Sequence, residues 1–319
     1  MSKYLGTARM LLALAAALLA LLLGSIPVPA HDGDHEGEGK DEVGEVDPDF
    51  PTTALTGDQR GPGASCVDGH AGYFPCKNVN LSSYLPMSHI GGGRGSDVWG
   101  WTDPATERRY VVAGRDNGTA FVDVTNERRP VYLGNLPTSG TNNVIWRDIK
   151  VHDNHAFIVA EAREHGMQVF DLRRLRSVDP AAAPVTFTAD ARYTGFGRAH
   201  NIAINTDSGF AYAVGAREDV RACSGGLHMI DIRQPASPAF AGCVGEDGYT
   251  HDTQCVVYDG PDTRFTGREI CFSSNEDTLT IVDVTDKAAP RQLSRVGYTG
   301  SAYTHLGLAD AGRPALLDG

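Results

Sequence analysis

The sequence predicts an all-β protein, a β-propeller of four-stranded antiparallel blades, from three observations. First, a short run rich in β-branched residues ends in an aspartate and is followed by a turn and a second extended run, which is typical of paired strands. Second, this pattern occurs four times, with its aspartates 48, 60 and 52 residues apart. Third, a period of about 50 residues built from short strands is typical of one propeller blade per repeat. The motif aspartates are Asp123, Asp171, Asp231 and Asp283.

Each repeat divides into four predicted strands, separated by Asn, Asp, Gly and Pro residues that favour turns. Most of these strands are apolar on both faces, which fits blades packed face to face. The predicted strands are 98–101, 110–114, 120–125 and 131–133; 149–151, 155–160, 167–172 and 184–187; 202–204, 210–214, 227–232 and 238–240; and 253–258, 269–273, 278–284 and a run from Pro290.

A fifth repeat begins at Tyr303-Thr304-His305, and residues 306–319 do not complete it. Closed propellers usually have at least four blades and commonly join their first and last strands. Four blades and a stub therefore predict a C-terminally truncated chain with an open or incomplete ring. Such an arc would leave an apolar blade face exposed.

The N-terminal segment has the pattern of a secretory signal peptide. Lys3 and Arg9 form a positively charged start before the apolar run 10–23, and Val28-Pro29-Ala30 fits a cleavage site, so residues 1–30 are predicted to be removed. The apolar run is shorter than the ~20 residues that span a bilayer, and no second run follows, so we predict no membrane span in the mature chain. An uncleaved signal anchor is the alternative interpretation.

Residues 31–63 are predicted to form an acidic, disordered spacer. Between residues 31 and 50 the chain carries nine acidic residues against Lys40 alone and almost no apolar side chains. This segment supplies most of the net charge of −12. The remaining body, predicted as a propeller over 64–305 with a stub over 306–319, has no basic stripe, which argues against binding to nucleic acid.

Six cysteines in an exported chain favour disulfides over free buried thiols, which are the other interpretation. Six cysteines allow 15 pairings, and sequence alone does not choose among them. Proximity along the chain favours three pairs, which are Cys66–Cys76, Cys223–Cys243 and Cys255–Cys271.

Two adjacent positions recur on the first strand of each repeat. First strands line the channel of a propeller, and neighbouring residues of a strand point to opposite faces. One column of residues is therefore predicted to face the channel and the other to lie between blades, without a choice between them. The first column is Ser96, Arg147, His200, His251 and His305, and the second is Asp97, Asp148, Asn201, Asp252 and Leu306.

The three histidines of the first column, His200, His251 and His305, are a candidate metal site. Imidazoles that converge on one axis can bind a transition metal, and each ring needs a partner to orient its second nitrogen. Asp148 and Asp252 are the candidates for that role. The competing interpretation is that these His and Asp side chains hydrogen-bond backbone groups of the next blade and hold the ring together.

Other polar and aromatic residues receive structural interpretations. The motif aspartates precede turns, where a carboxylate can accept backbone N–H bonds. The segment that contains Glu161, Glu164 and His165 is predicted to be a surface loop. Three tryptophans on or before first strands are expected to pack in the core rather than to form a binding platform, and these are Trp99, Trp101 and Trp146.

Several strings in the sequence resemble the choice-of-anchor B family of bacterial exported proteins. Phe121-Val122-Asp123-Val124 and Thr280-Ile281-Val282-Asp283-Val284 look like the LVIVD repeat, and the longer strings include GSDVWGWTDP (95–104), YTHDTQCV (249–256) and ICFSSNEDTLTIVDVT (270–285). The resemblance covers about residues 64–305. It implies export and attachment at the cell surface through a C-terminal anchor, and it implies no particular biochemical activity. This chain departs from the family pattern after His305.

The sequence lacks the G-x-S-x-G, P-loop, dinucleotide-binding and HExxH signatures of common enzymes. Propellers display loops and a channel on a rigid ring, so binding is the default expectation for the fold. We therefore predict an exported, extracellular or cell-surface, non-enzymatic binding or scaffold module whose partner is an unknown protein or glycan. A metal-dependent enzyme with histidines at the axis is the alternative, and a transition metal is the only cofactor considered.

Overall fold

The computed structural model describes residues 61–72, 74–140, 144–217, 223–299 and 304. All of these lie in one compact unit. The predicted signal peptide, the predicted spacer up to residue 60, the pair His305 and Leu306, and the predicted stub lie outside the described residues.

The described residues form strands and three short 3₁₀ turns, at Met87–Ile90, Leu172–Ser177 and Cys223–Gly225. The strands are β1 (Gly61–Ala64), β2 (His70–Ala71), β3 (Phe74–Pro75), β4 (Leu81–Tyr84), β5 (Gly95–Thr102), β6 (Arg109–Arg115), β7 (Gly118–Asp123), β8 (Val131–Pro137), β9 (Arg147–His152), β10 (His155–Ala160), β11 (Met167–Asp171), β12 (Val185–Thr186), β13 (Ala191–Tyr193), β14 (Asn201–Asn205), β15 (Phe210–Val214), β16 (Leu227–Asp231), β17 (Ala239–Val244), β18 (Thr250–Val257), β19 (Glu269–Asn275), β20 (Thr278–Asp283) and β21 (Arg291–Gly297).

Four sheets correspond to the four repeats, and in each the strands are antiparallel neighbours. Blade one is β5-β6-β7-β8, blade two β9-β10-β11-β13, blade three β14-β15-β16-β17 and blade four β18-β19-β20-β21. The first strand of each blade contacts the first strand of the next, from β5 to β9, β14 and β18. The predicted fold class, a β-propeller of four-stranded blades, is confirmed.

The prediction for the fourth strand of blade two was wrong. The predicted segment 184–187 contains β12, which pairs in parallel with β8 at the outer edge of blade one. The 3₁₀ turn Leu172–Ser177 intervenes after β11, so the chain passes along blade one before β13 completes blade two. Phe187 then packs between the blades, with its ring 5.5 Å from that of Phe121.

The two residues before each motif aspartate show how successive blades pack. The residue directly before it points to the preceding blade, and the residue before that one points to the following blade, because side chains of a strand alternate between faces. Phe121, Val169 and Met229 therefore lie in the cores shared with the next blade, and Phe170, Ile230 and Val282 lie in the cores shared with the previous blade. In blade one, Val122 packs instead against Ile90 of the N-terminal 3₁₀ turn.

All six cysteines are in the three predicted disulfides, which are Cys66–Cys76, Cys223–Cys243 and Cys255–Cys271. Cys255 and Cys271 are directly opposite each other on β18 and β19. Structural disulfides of this kind are typical of oxidising compartments outside the cytosol. In the part of the chain that the structure describes, no helix is long and apolar enough to cross a membrane.

Candidate functional site

The inner strands of the four blades surround a cavity of about 760 Å³. Of the two residue columns predicted on these strands, the second faces the cavity. Side chains two positions further along the strands continue the wall, and these are Trp99, Lys150 and Gln254. The members of the second column in the wall are Asp97, Asp148, Asn201 and Asp252.

The second column also links neighbouring blades through backbone groups. Each inner strand is the edge of its sheet, so its outward backbone groups have no strand partner. Asp97 Oδ2 accepts the N–H of Ile149 in blade two at 2.9 Å, and Asp148 Oδ2 accepts the N–H of Ile202 in blade three at 2.8 Å. Asn201 Nδ2 donates to the carbonyl of His251 in blade four at 3.1 Å. Hydrogen bonds from these side chains to backbone groups of the next blade are the contacts that the competing, structural interpretation describes.

Asp97 and Asp148 form a close carboxyl pair on the cavity wall. The Ile149 N–H that Asp97 accepts is also accepted by Asp148 Oδ1 at 2.9 Å. Burial, together with the charge and hydrogen bonding of Asp148, raises the pKa of Asp97 to about 6. Lys150 Nζ lies 2.5 Å from Asp148 Oδ1 and 4.7 Å from the centre of the Trp99 ring. The wall therefore combines charge with an aromatic ring. The prediction that the tryptophans pack in the core was right for Trp101 and wrong for Trp99 and Trp146, which are exposed, Trp99 to 39%.

Arg147, from the first column, lies between blades one and two and is only 3% exposed. Its guanidinium donates to the Arg115 carbonyl and to Thr138 Oγ1, and its Nη1 is 3.0 Å from His165 Nε2. Burial lowers the pKa of Arg147 to about 10, so the group stays charged at neutral pH. Ser96 Oγ donates to the carbonyl of Arg147 and accepts its backbone N–H, so it joins the first strands of blades one and two.

The prediction that His165 lies in a surface loop was wrong, because its side chain is fully buried. Burial, and then the charge of Arg147, lower the pKa of His165 to about 3, so its imidazole is neutral. Ser139 Oγ and Arg192 Nε both donate to the His165 carbonyl, which fixes the turn against two blades. The local sequence is polar and gave no sign of this burial.

His200 and His251 of the first column lie side by side, with 2.8 Å between their Nε2 atoms. The carboxylate at the other nitrogen of His200 is Glu161, whose Oε1 is 2.5 Å from Nδ1, whereas Asp148 and Asp252 belong to the cavity wall. Glu161 directly follows β10, and nothing in the repeat spacing marked it. Within the described ranges, no group of three His, Cys, Asp or Glu side chains is placed to hold a metal ion. His305, the predicted third ligand, lies outside them.

A hydrogen bond that recurs between repeats is also found at Thr304. Its N–H donates to the carbonyl of Asn275, the last residue of β19, at 3.1 Å. The N–H of Ala199 donates in the same way to Ala160, the last residue of β10, at 3.1 Å. Ala199 and Thr304 each directly precede a histidine of the first column.

The motif aspartates accept backbone N–H bonds in the turns that follow them, as predicted. In each case the donor is the residue two positions later. The distances are 2.8 Å for Asp123, 2.9 Å for Asp171, 3.0 Å for Asp231 and 3.1 Å for Asp283.

These features define the chain as a β-propeller, and comparisons with known proteins add two remote structural likenesses. No protein-family model matches the sequence, and no curated protein matches it. The chain is similar to the periplasmic gluconolactonase PpgL of Pseudomonas aeruginosa, with a TM-score of 0.40 and 12% identity over 73% of this chain and 62% of that chain. It is also similar to the dihydro-haem d1 dehydrogenase NirN, with a TM-score of 0.35 and 10% identity over 65% of this chain and 38% of that chain. The chain thus spans less than two thirds of the length of either protein.

Proposed function

We propose that the chain is an exported, non-enzymatic binding protein of the choice-of-anchor B type, and that its ligand binds in the cavity between the inner strands. The observation that carries this proposal is the cavity of about 760 Å³, whose wall carries several polar side chains and an exposed tryptophan. Small-molecule sites typically have volumes of about 300–1,000 Å³ and a few well-placed polar groups. The predicted signal peptide, the disulfides and the sequence resemblance support export.

The chemistry of the wall favours a glycan over a protein as the ligand. Carboxylate oxygens accept hydrogen bonds from sugar hydroxyls, while the amides of Asn201 and Gln254 both donate and accept. Trp99 offers a flat apolar surface with a polar N–H, which suits the mixed apolar and polar faces of a sugar ring. A concave cavity of this size accommodates a few sugar units, whereas protein interfaces are usually much larger surfaces.

A glycan array probed with the mature chain, followed by calorimetry on the bound glycans, tests this proposal. We expect Trp99→Ala to weaken binding by about 3- to 10-fold, since a lost aromatic contact is worth about 0.5–1.5 kcal/mol. Phe240→Ala is the matched control, because Phe240 is also 39% exposed but lies on β17, away from the cavity wall. The absence of any bound glycan, or equal binding by Trp99→Ala and the wild type, would contradict the proposal.

A further inference from the structure

The pair formed by His200 and His251 is a second candidate site, separate from the cavity wall. Neither residue lines the cavity, and their Nε2 atoms face each other at 2.8 Å. His251 is 5% exposed, and the side chain of His200 is 11% exposed. The ring of Trp146, which is exposed, lies 6.0 Å from that of His200. The pair is therefore largely buried but close to solvent.

Glu161 fixes the proton arrangement of His200. Its carboxylate can only accept, so the Nδ1 atom of His200 at 2.5 Å is the donor. In the neutral imidazole the Nε2 atom then carries a lone pair, and it points at His251 Nε2. A proton on His251 Nε2 satisfies this contact, and a cation bound to both nitrogens satisfies it equally.

We propose that His200 and His251 bind a late first-row divalent metal ion, such as Zn²⁺, through their Nε2 atoms, and that Glu161 is a positioning residue for His200. Imidazole is a preferred ligand of zinc and copper. At Zn–N distances of about 2.0–2.1 Å in tetrahedral geometry, two ligand nitrogens lie about 3.3 Å apart. To admit the ion, the two nitrogens need to separate by about 0.5 Å and each ring needs to turn by about 35°, so that both lone pairs point at the metal.

The carboxylate of Glu161 matches the usual outer partner of a metal-binding histidine. Such histidines donate their second N–H to a carboxylate or carbonyl, which fixes the ring and raises its basicity. Loss of such a partner typically lowers metal affinity about 10–100-fold. With two protein nitrogens, water fills the remaining positions around the ion. The proposal assigns metal binding, without catalysis, to this pair.

Calorimetry with zinc chloride on the mature chain tests the site. All proteins carry His31→Gln and His35→Gln, so that the acidic N-terminal segment contributes no imidazole. We expect one zinc ion per chain, loss of binding in His200→Gln and in His251→Gln, and about 10–100-fold weaker binding in Glu161→Gln. His70→Gln, an exposed residue on β2, is the control and should bind as the parent does.

Electron paramagnetic resonance with Cu²⁺ separates positioning from coordination. The parent should show two nitrogen ligands, either histidine variant one, and Glu161→Gln still two. Thermal unfolding without metal verifies that each variant is folded. No saturable binding at a zinc concentration of about 1 mM, or unchanged binding in the double His200 and His251 variant, would overturn the proposal. Glycan binding in the cavity should not change in these variants, so the two proposals fail separately.

Discussion

The residue two positions before the motif aspartate has the same role in four blades but not the same surroundings. Phe121, Val169 and Met229 have no exposed surface, because the next blade covers them. Ile281 of blade four is 7% exposed and lines a groove of about 440 Å³ together with Phe272 and other side chains. The repeat thus gives every blade an apolar following face, but only the side chains of a neighbour fill it.

Truncation of this residue in blades three and four should have the largest effect and should differ between them. We expect Met229→Ala to lower the free energy of unfolding by about 4 kcal/mol, because it leaves a closed cavity between two blades. Ile281→Ala should cost about 2 kcal/mol, since its side chain already borders open space. Urea unfolding measures both values. Equal costs would show that the groove beside Ile281 is filled in solution.

Replacement of a buried arginine tests whether polar residues between blades and polar residues beside the groove of blade four also differ in their effect on stability. Arg147→Met should lower the free energy of unfolding by about 3 kcal/mol, because the Arg115 carbonyl, Thr138 and His165 lose buried hydrogen-bond partners. Arg291→Met, at an exposed residue that lines the groove of blade four, should produce no measurable change. Unfolding monitored by circular dichroism compares the two, and a stable Arg147→Met protein would contradict the described packing.

The carboxyl pair between blades one and two should make the free energy of unfolding depend on pH, with a sign that follows from the pKa of Asp97. The pKa of Asp97 is raised from 3.8 to about 6, so between these values the folded state holds a proton that the unfolded state has lost. This contribution to stability is complete below about pH 4 and is lost as the pH rises through about 6.

Substitution of Asp97 by Asn should remove this loss of stability between pH 4 and pH 7. The variant should be more stable than the wild type by about 1–2 kcal/mol at pH 7, a value that allows for partial solvent screening, with no gain at pH 4. Asp252→Asn controls for the removal of one negative charge from the cavity wall. Denaturant unfolding from pH 4 to 7 measures the difference, and a gain that is constant with pH would contradict the pairing with Asp148.

The turn aspartates should have the smallest effect. Asp231→Ala removes the acceptor for the Arg233 N–H and should cost about 1 kcal/mol, since the turn is partly solvated. Glu276→Ala, at an exposed turn residue of blade four, is the control and should be neutral within error. Thermal unfolding detects the difference. A neutral Asp231→Ala would mean that the repeated aspartate is not needed for the turn.

The repeat made most of the fold predictable, because spacing and alternation are local properties of a sequence. The motif turns and the four blades follow from it, and the disulfides follow from the proximity of the cysteines along the chain. The position of β12 did not, since the 3₁₀ turn after β11 redirects the chain to a sheet that is distant in sequence. Glu161 and His165 were also missed, because their roles come from contacts with other blades rather than from their own repeat.

Residue-resolved amide hydrogen exchange tests most directly the claim that cavity-facing carboxylates join successive inner strands. Asp97→Ala should speed the exchange of the Ile149 N–H and leave that of Ile202 unchanged. Asp148→Ala should speed both, because it accepts from both groups. Slow exchange of Ile202 in Asp148→Ala, or fast exchange of both amides in the wild type, would contradict the claim that these carboxylates join the inner strands of blades one, two and three.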